Sequence, residues 1–162
     1  MFDRIGGLPA HPLIVHAAVV FVPLLVLLTL GYALLPKLRS RLDWATAALA
    51  VLAPLTVFLA RESGKRFEVN LYGNNIPAQV TKHFNYGTKL FVFVLILGGL
   101  ALLMVVIQEG RRRGRFTVPG PIALVVTVLA ALSVVPAGIY VYLTGESGAH
   151  AVWGAGQLLN AV

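Results

Sequence analysis

Residues 8–23 read LPAHPLIVHAAVVFVP, and this stretch decides what kind of protein the chain is. Pro12 fits the first position of a helix, where its missing N–H costs nothing. His11 then falls at or near the N-cap, and His16 lies about one turn inside. The apolar run continues to Leu35 and stops at Pro36. A run of that length crosses a membrane. Histidines in such a setting are costly unless they are paired or ligating, so His11 and His16 need a reason.

Working outward, three further apolar runs follow. The four spans are about 12–35, 44–60, 86–107 and 121–143. Each is near the ~20 apolar residues that cross ~30 Å of hydrocarbon. Composition agrees: 58% of residues are hydrophobic and 12% charged, against roughly 45–50% and 25% in soluble domains. The mean hydropathy is +0.84. The formal charge of +7 sits in short clusters between the runs, as topology signals do, and does not indicate nucleic acid. The chain has no cysteine, which excludes disulfides and thiolate metal sites. The first run is too long for a signal-peptide core and is expected to be retained.

Local signals set the expected boundaries. Asp43 suits the N-cap of the second span, with Gly64 just past its end. Pro23, Pro54 and Pro136 lie inside spans and are expected to kink them. Gly98, Gly99 and Ala101 suit close helix packing. Ile76-Pro77 offers a start for the third helix, which puts His83 about two turns before its deep apolar part. Lys65–Asn75 reads as an irregular loop folded over one mouth of the bundle.

Lys37, Arg39 and Arg41 fill the loop between spans one and two, and Arg111, Arg112, Arg113 and Arg115 that between spans three and four. The positive-inside rule makes both loops cytoplasmic and both termini outer. A repeat is also visible. Each hairpin starts near a histidine, and the two end on Glu62-Ser63-Gly64 and Glu146-Ser147-Gly148. Two hairpins of the same orientation are related by an axis along the membrane normal.

Span parity puts all four histidines, His11, His16, His83 and His150, on one side of the membrane. Glu62 and Glu146 fall there too. Imidazole is the commonest metal ligand and the usual axial ligand of haem. Facing helices can hold two imidazoles on either side of a flat macrocycle. His16 and His83 are the expected ligands, with His11 and His150 as alternates and the two glutamates behind them. Interfacial histidines bonded to water or carbonyls are the plain alternative. Tyr72, Tyr86, Tyr140, Tyr142, Trp153 and Trp44 read as interfacial aromatic belts. No nucleotide-binding loop, nucleophile motif or HExxH is present, and no independent catalytic activity is expected. No charge falls deep within a span, which argues against a proton-coupled carrier or ion pump.

At Leu8-Pro9-Ala10-His11-Pro12-Leu13-Ile14-Val15-His16, and at Gly145-Glu146 followed by His150, the chain resembles a family of small bacterial membrane proteins, the domain of unknown function number 2231. The resemblance spans nearly the whole chain. Where that family often carries an aromatic residue and proline after the second histidine, Ala17-Ala18 stand here. The resemblance implies four spans in a bacterial inner membrane and, because members occur beside redox domains, electron transfer. The expectation is an all-α, single-domain, four-helix membrane bundle. Its outer mouth would bind b-type haem or a metal for electron transfer or redox sensing, among membrane lipid and other membrane or redox proteins. The competing expectation is a non-catalytic accessory subunit of a larger respiratory complex.

Overall fold

The structure, a computed structural model, describes residues 4–5 and 8–153. Four helices make up almost all of it: α1 (Ala10–Leu34), α2 (Arg39–Tyr72), α3 (Ala78–Arg112) and α4 (Gly120–Trp153). Arg4–Ile5 pairs antiparallel with Leu8–Pro9 just ahead of α1. All four helices are long and apolar enough to cross a membrane. The fold is an all-α four-helix membrane bundle, and the chain is a multi-pass membrane protein.

The helices are longer than the apolar runs. With 34, 35 and 34 residues, α2, α3 and α4 each reach about 50 Å, well beyond ~30 Å of hydrocarbon. Much of the surplus lies at the histidine end. There the expected loop at Lys65–Asn75 does not exist: α2 continues to Tyr72, and only residues 73–77 are non-helical. No proline or turn pair interrupts residues 64–72. The helix stops at Gly73, whose φ of 56° turns the chain while its N–H bonds the Val69 carbonyl. Gly64 is therefore inside α2 rather than past its end. Asp43 is likewise interior and not an N-cap; its carboxylate accepts a hydrogen bond from Arg112 at 3.2 Å. Pro23, Pro54 and Pro136 sit within their helices without ending them. At the opposite end, Arg39 donates to the Tyr32 and Ala33 carbonyls, closing the last turn of α1 where backbone acceptors lack partners.

In cross-section the helices form a ring. Each packs along its neighbours in the order α1, α2, α3, α4 and back to α1, while neither diagonal pair packs along its length. Inward positions follow a 4,3,4,3 spacing: Ala18, Val22, Leu25, Thr29 and Tyr32 on α1, and Leu90, Val94, Leu97, Ala101 and Met104 on α3. That is the seam of a left-handed bundle. Those two sets are superposed by a shift of 72 residues, the separation of His11 from His83. A shift of 84, the separation of Ser63 from Ser147, carries Thr46, Ala50, Ala53 and Ser63 of α2 onto Ala130, Val134, Ala137 and Ser147 of α4, all buried. The repeat extends well beyond the shared tripeptide: it is the register of the whole core.

Glycine sets one approach. A Cβ on Gly98 would stand 2.5 Å from the Ala50 carbonyl oxygen, so α2 and α3 touch backbone to side there. Gly99 has nothing within 4 Å of such a Cβ and takes no part in that contact, contrary to the sequence expectation.

Candidate functional site

His11 occupies the first turn of α1, which begins at Ala10, so His11 and Pro12 are the second and third residues of the helix rather than its cap and first position. Its Nδ1 lies 2.9 Å from the Ala60 carbonyl oxygen and 3.3 Å from Ser63 Oγ, both on α2. A carbonyl only accepts, so Nδ1 carries the proton and donates. In the second hairpin His83 repeats this. Its Nδ1 donates to the Thr144 carbonyl at 3.0 Å, with Ser147 Oγ at 3.3 Å. Each serine also bonds the same carbonyl as its histidine, at 2.9 Å for Ser63 and 3.1 Å for Ser147.

The glycine after each serine makes room for the ring. A Cβ on Gly64 would fall 2.8 Å from His11 Cε1, and one on Gly148 would fall 3.0 Å from His83 Cε1. The repeated Ser-Gly is thus the receptor for an imidazole: a hydroxyl and carbonyl to hold Nδ1, and a bare backbone for the ring edge.

The two rings then meet. His11 and His83 come from diagonal helices, and their centroids are 6.4 Å apart at an interplanar angle of 74°. Phe67 stacks on His11 at 6.0 Å. With both Nδ1 atoms committed, a neutral ring presents its lone pair at Nε2. Two imidazolium ions at this separation would repel by on the order of 2–3 kcal/mol at an effective dielectric constant near 20. The pair is therefore not doubly charged at neutral pH.

The remaining expected residues lie around this pair. His16 does not face His83. Its side chain is exposed, and Nδ1 turns back to the Pro12 carbonyl at 2.5 Å, because one turn and a half past His11 the helix has rotated that position outward. His11, expected as an alternate, takes the place assigned to His16. His150 is exposed on α4 and lines a groove of about 280 Å³ with Lys82, Tyr86, Leu143, Glu146 and Ser147. Glu62 pairs with Arg61 and lines a second groove of about 190 Å³ with Ile14, Leu59, Ser63 and Arg66. The grooves are repeat mates: Leu59, Glu62, Ser63 and Arg66 correspond to Leu143, Glu146, Ser147 and His150. Neither glutamate bonds an imidazole.

Arg61 bridges α2 to α3, donating to Thr88 Oγ1 at 3.2 Å with its guanidinium over the Phe84 ring at 5.3 Å. About two turns further into the bundle, Ala18, Val22, Leu90 and Val94 belong to the packed core. Ala18 is part of that packing, and a Cβ on Gly87 would meet the Thr144 side chain of α4 at 3.9 Å. Among the described residues no cluster of three or more His, Cys, Asp or Glu is placed to hold a metal. The donor set at the mouth is two imidazoles.

Sequence reasoning found the histidines but not their partners. Ser63, Ser147, Gly64, Gly148 and Phe67 carry no motif on their own. The signal for the serines and glycines was the doubled Glu-Ser-Gly, which reads as a repeat marker until the imidazole it receives is seen; Phe67 had none. No protein-family model, curated protein or solved structure matches the chain.

Proposed function

We propose that this chain is a small multi-pass protein of the bacterial cell membrane, of the kind its opening motif resembles. In this reading the paired imidazoles at the outer mouth hold a redox-active centre, a b-type haem or a metal ion, used in electron transfer or redox sensing. One observation carries the reading: His11 and His83 meet on the pseudo-twofold axis with both Nδ1 atoms tied to carbonyls. A ligating histidine almost always donates its other ring nitrogen in this way, which fixes the tautomer and raises the basicity of the ligating nitrogen. The ligand pair is then His11 and His83, with the Phe67 ring stacked on His11. Electrons would pass to partners on the same side of the membrane, because the opposite end carries an ion cluster, Asp43 with Glu109 and Arg112, and no histidine.

A second reading has its own support. The two histidine–carbonyl bonds also staple each hairpin shut, and the core beneath is already filled. A non-catalytic accessory subunit of a respiratory complex needs nothing more. The visible spectrum and metal content of protein purified from its native membrane separate the two. A Soret band or one metal per chain, lost in His11→Ala and His83→Ala but kept in His16→Ala, supports the redox centre. Absence of chromophore and metal leaves the accessory subunit.

A further inference from the structure

We infer that the His11–His83 pair is a two-coordinate site for one monovalent soft metal ion, Cu(I), held between the two Nε2 atoms. This rests on the redox-centre reading and names its occupant.

Length is the first argument. Two metal–nitrogen bonds of about 2.0 Å, with each ring nitrogen about 1.15 Å from its ring centre, separate two collinear imidazole centroids by about 6.3 Å. The observed separation of the ring centroids is 6.4 Å, the span that two imidazoles sharing one metal ion take up. A linear N–metal–N unit places no restriction on the twist between the rings, so the 74° interplanar angle is compatible with it.

Ligand number is the second. Zn(II) takes four ligands, and the mouth offers two imidazoles with no third His, Cys, Asp or Glu clustered with them among the described residues. Haem needs a plate-shaped space, and the core of the bundle is packed from Ala18 on α1 and Leu90 on α3 onward. Imidazole suits copper, and a filled-shell monovalent ion is satisfied by two donors in a line.

Symmetry is the third. Both rings donate from Nδ1 and so share one tautomer when neutral, and binding to that form releases no proton. Each ring is held from behind by a carbonyl and a serine hydroxyl, which pre-positions both donors before the ion arrives. The Phe67 ring stacked on His11 limits water on one side, which disfavours the higher coordination that Cu(II) prefers.

The experiment titrates the full-length chain in detergent, without oxygen, with Cu(I) against a competing chromophoric chelator. Ag(I) serves as a redox-inert second probe. One ion of either should bind per chain, with two nitrogen neighbours in X-ray absorption. The key variants are His11→Asn and His83→Asn. Asparagine keeps an N–H donor near the Nδ1 position for the Ala60 or Thr144 carbonyl but has no Nε2, so the hairpin staple survives while the ligand goes. Each should weaken binding by more than about 100-fold, beyond the 10–100-fold typical of losing an outer-shell partner. His16→Ala and His150→Ala should bind as the parent does. Failure to bind Cu(I), binding that survives the double Asn variant, or equal affinity for Zn(II) overturns the inference. A Soret band that depends on His11 and His83, without Cu(I) binding, overturns copper while leaving the redox centre standing. Absence of haem and of every metal overturns both.

Discussion

Gly64→Ala tests the imidazole receptor directly. The added Cβ would lie 2.8 Å from His11 Cε1, 3.1 Å from Nδ1 and 3.5 Å from Nε2. Ordinary contact begins near 3.4 Å, so the ring must retreat by about 0.6 Å. It is pinned at 2.9 Å to the Ala60 carbonyl, and a retreat of that size carries the bond to about 3.5 Å, beyond useful hydrogen-bond range. Losing it costs roughly 0.5–1.5 kcal/mol, and overpacking adds about 1–3 kcal/mol where the ring cannot move. Against this, alanine is favoured over glycine in a helix by about 0.8–1.0 kcal/mol. The net destabilisation is about 0.5–3.7 kcal/mol. Gly145→Ala is the control, since a Cβ there meets nothing within 4 Å and only the helical gain of up to about 1 kcal/mol remains. Unfolding of both variants in mixed micelles gives the stability difference. Nitrogen-15 NMR of the imidazoles reports whether His11 Nδ1–H keeps its bonded signature. If Gly64→Ala is stabilised as much as Gly145→Ala and the Nδ1–H resonance is unmoved, the receptor does not hold the ring as described.

Gly98→Ala should destabilise the bundle by about 1–3 kcal/mol, because its Cβ would stand 2.5 Å from backbone at Ala50; Gly99→Ala should not, and equal melting of the two would refute the close α2–α3 approach. The buried hydroxyls of Thr29 and Thr46 have no hydrogen-bond partner among the described residues, so Thr29→Val and Thr46→Val should each raise stability by about 1 kcal/mol, a gain that detergent unfolding detects and that a loss would contradict. Reporter fusions at Ser40 and Gly114 should report cytoplasm and one at Asn75 the outer side, as the basic loops require; the reverse pattern would invert the bundle and the proposed side of the histidine mouth.

What the sequence determines by itself is the membrane fold. Four apolar runs of about 20 residues admit little but spanning helices, because backbone groups in hydrocarbon must be satisfied within the segment. Span parity places His11, His16, His83 and His150 at one end for the same reason. The doubled Glu-Ser-Gly marks a candidate repeat, which the register of the buried core residues then bears out. Three things were decided only by tertiary structure. Helix ends at the histidine mouth were one: hydropathy stops at Ala60 and Leu143, but the chain stays helical to Tyr72 and Trp153 because local geometry, not apolarity, ends a helix outside the hydrocarbon. The choice between His11 and His16 was another. Depth in the apolar run favoured His16, yet rotation about the helix axis, 100° per residue, decides which imidazole faces the axis, and the apolar residues surrounding a lipid-embedded helix on all sides hide that rotation. The last was the receptor of Ser63, Gly64, Ser147 and Gly148. These small residues become a binding edge only when α2 and α4 close against the first turns of α1 and α3, a juxtaposition of residues 49 to 64 positions apart that no local pattern encodes.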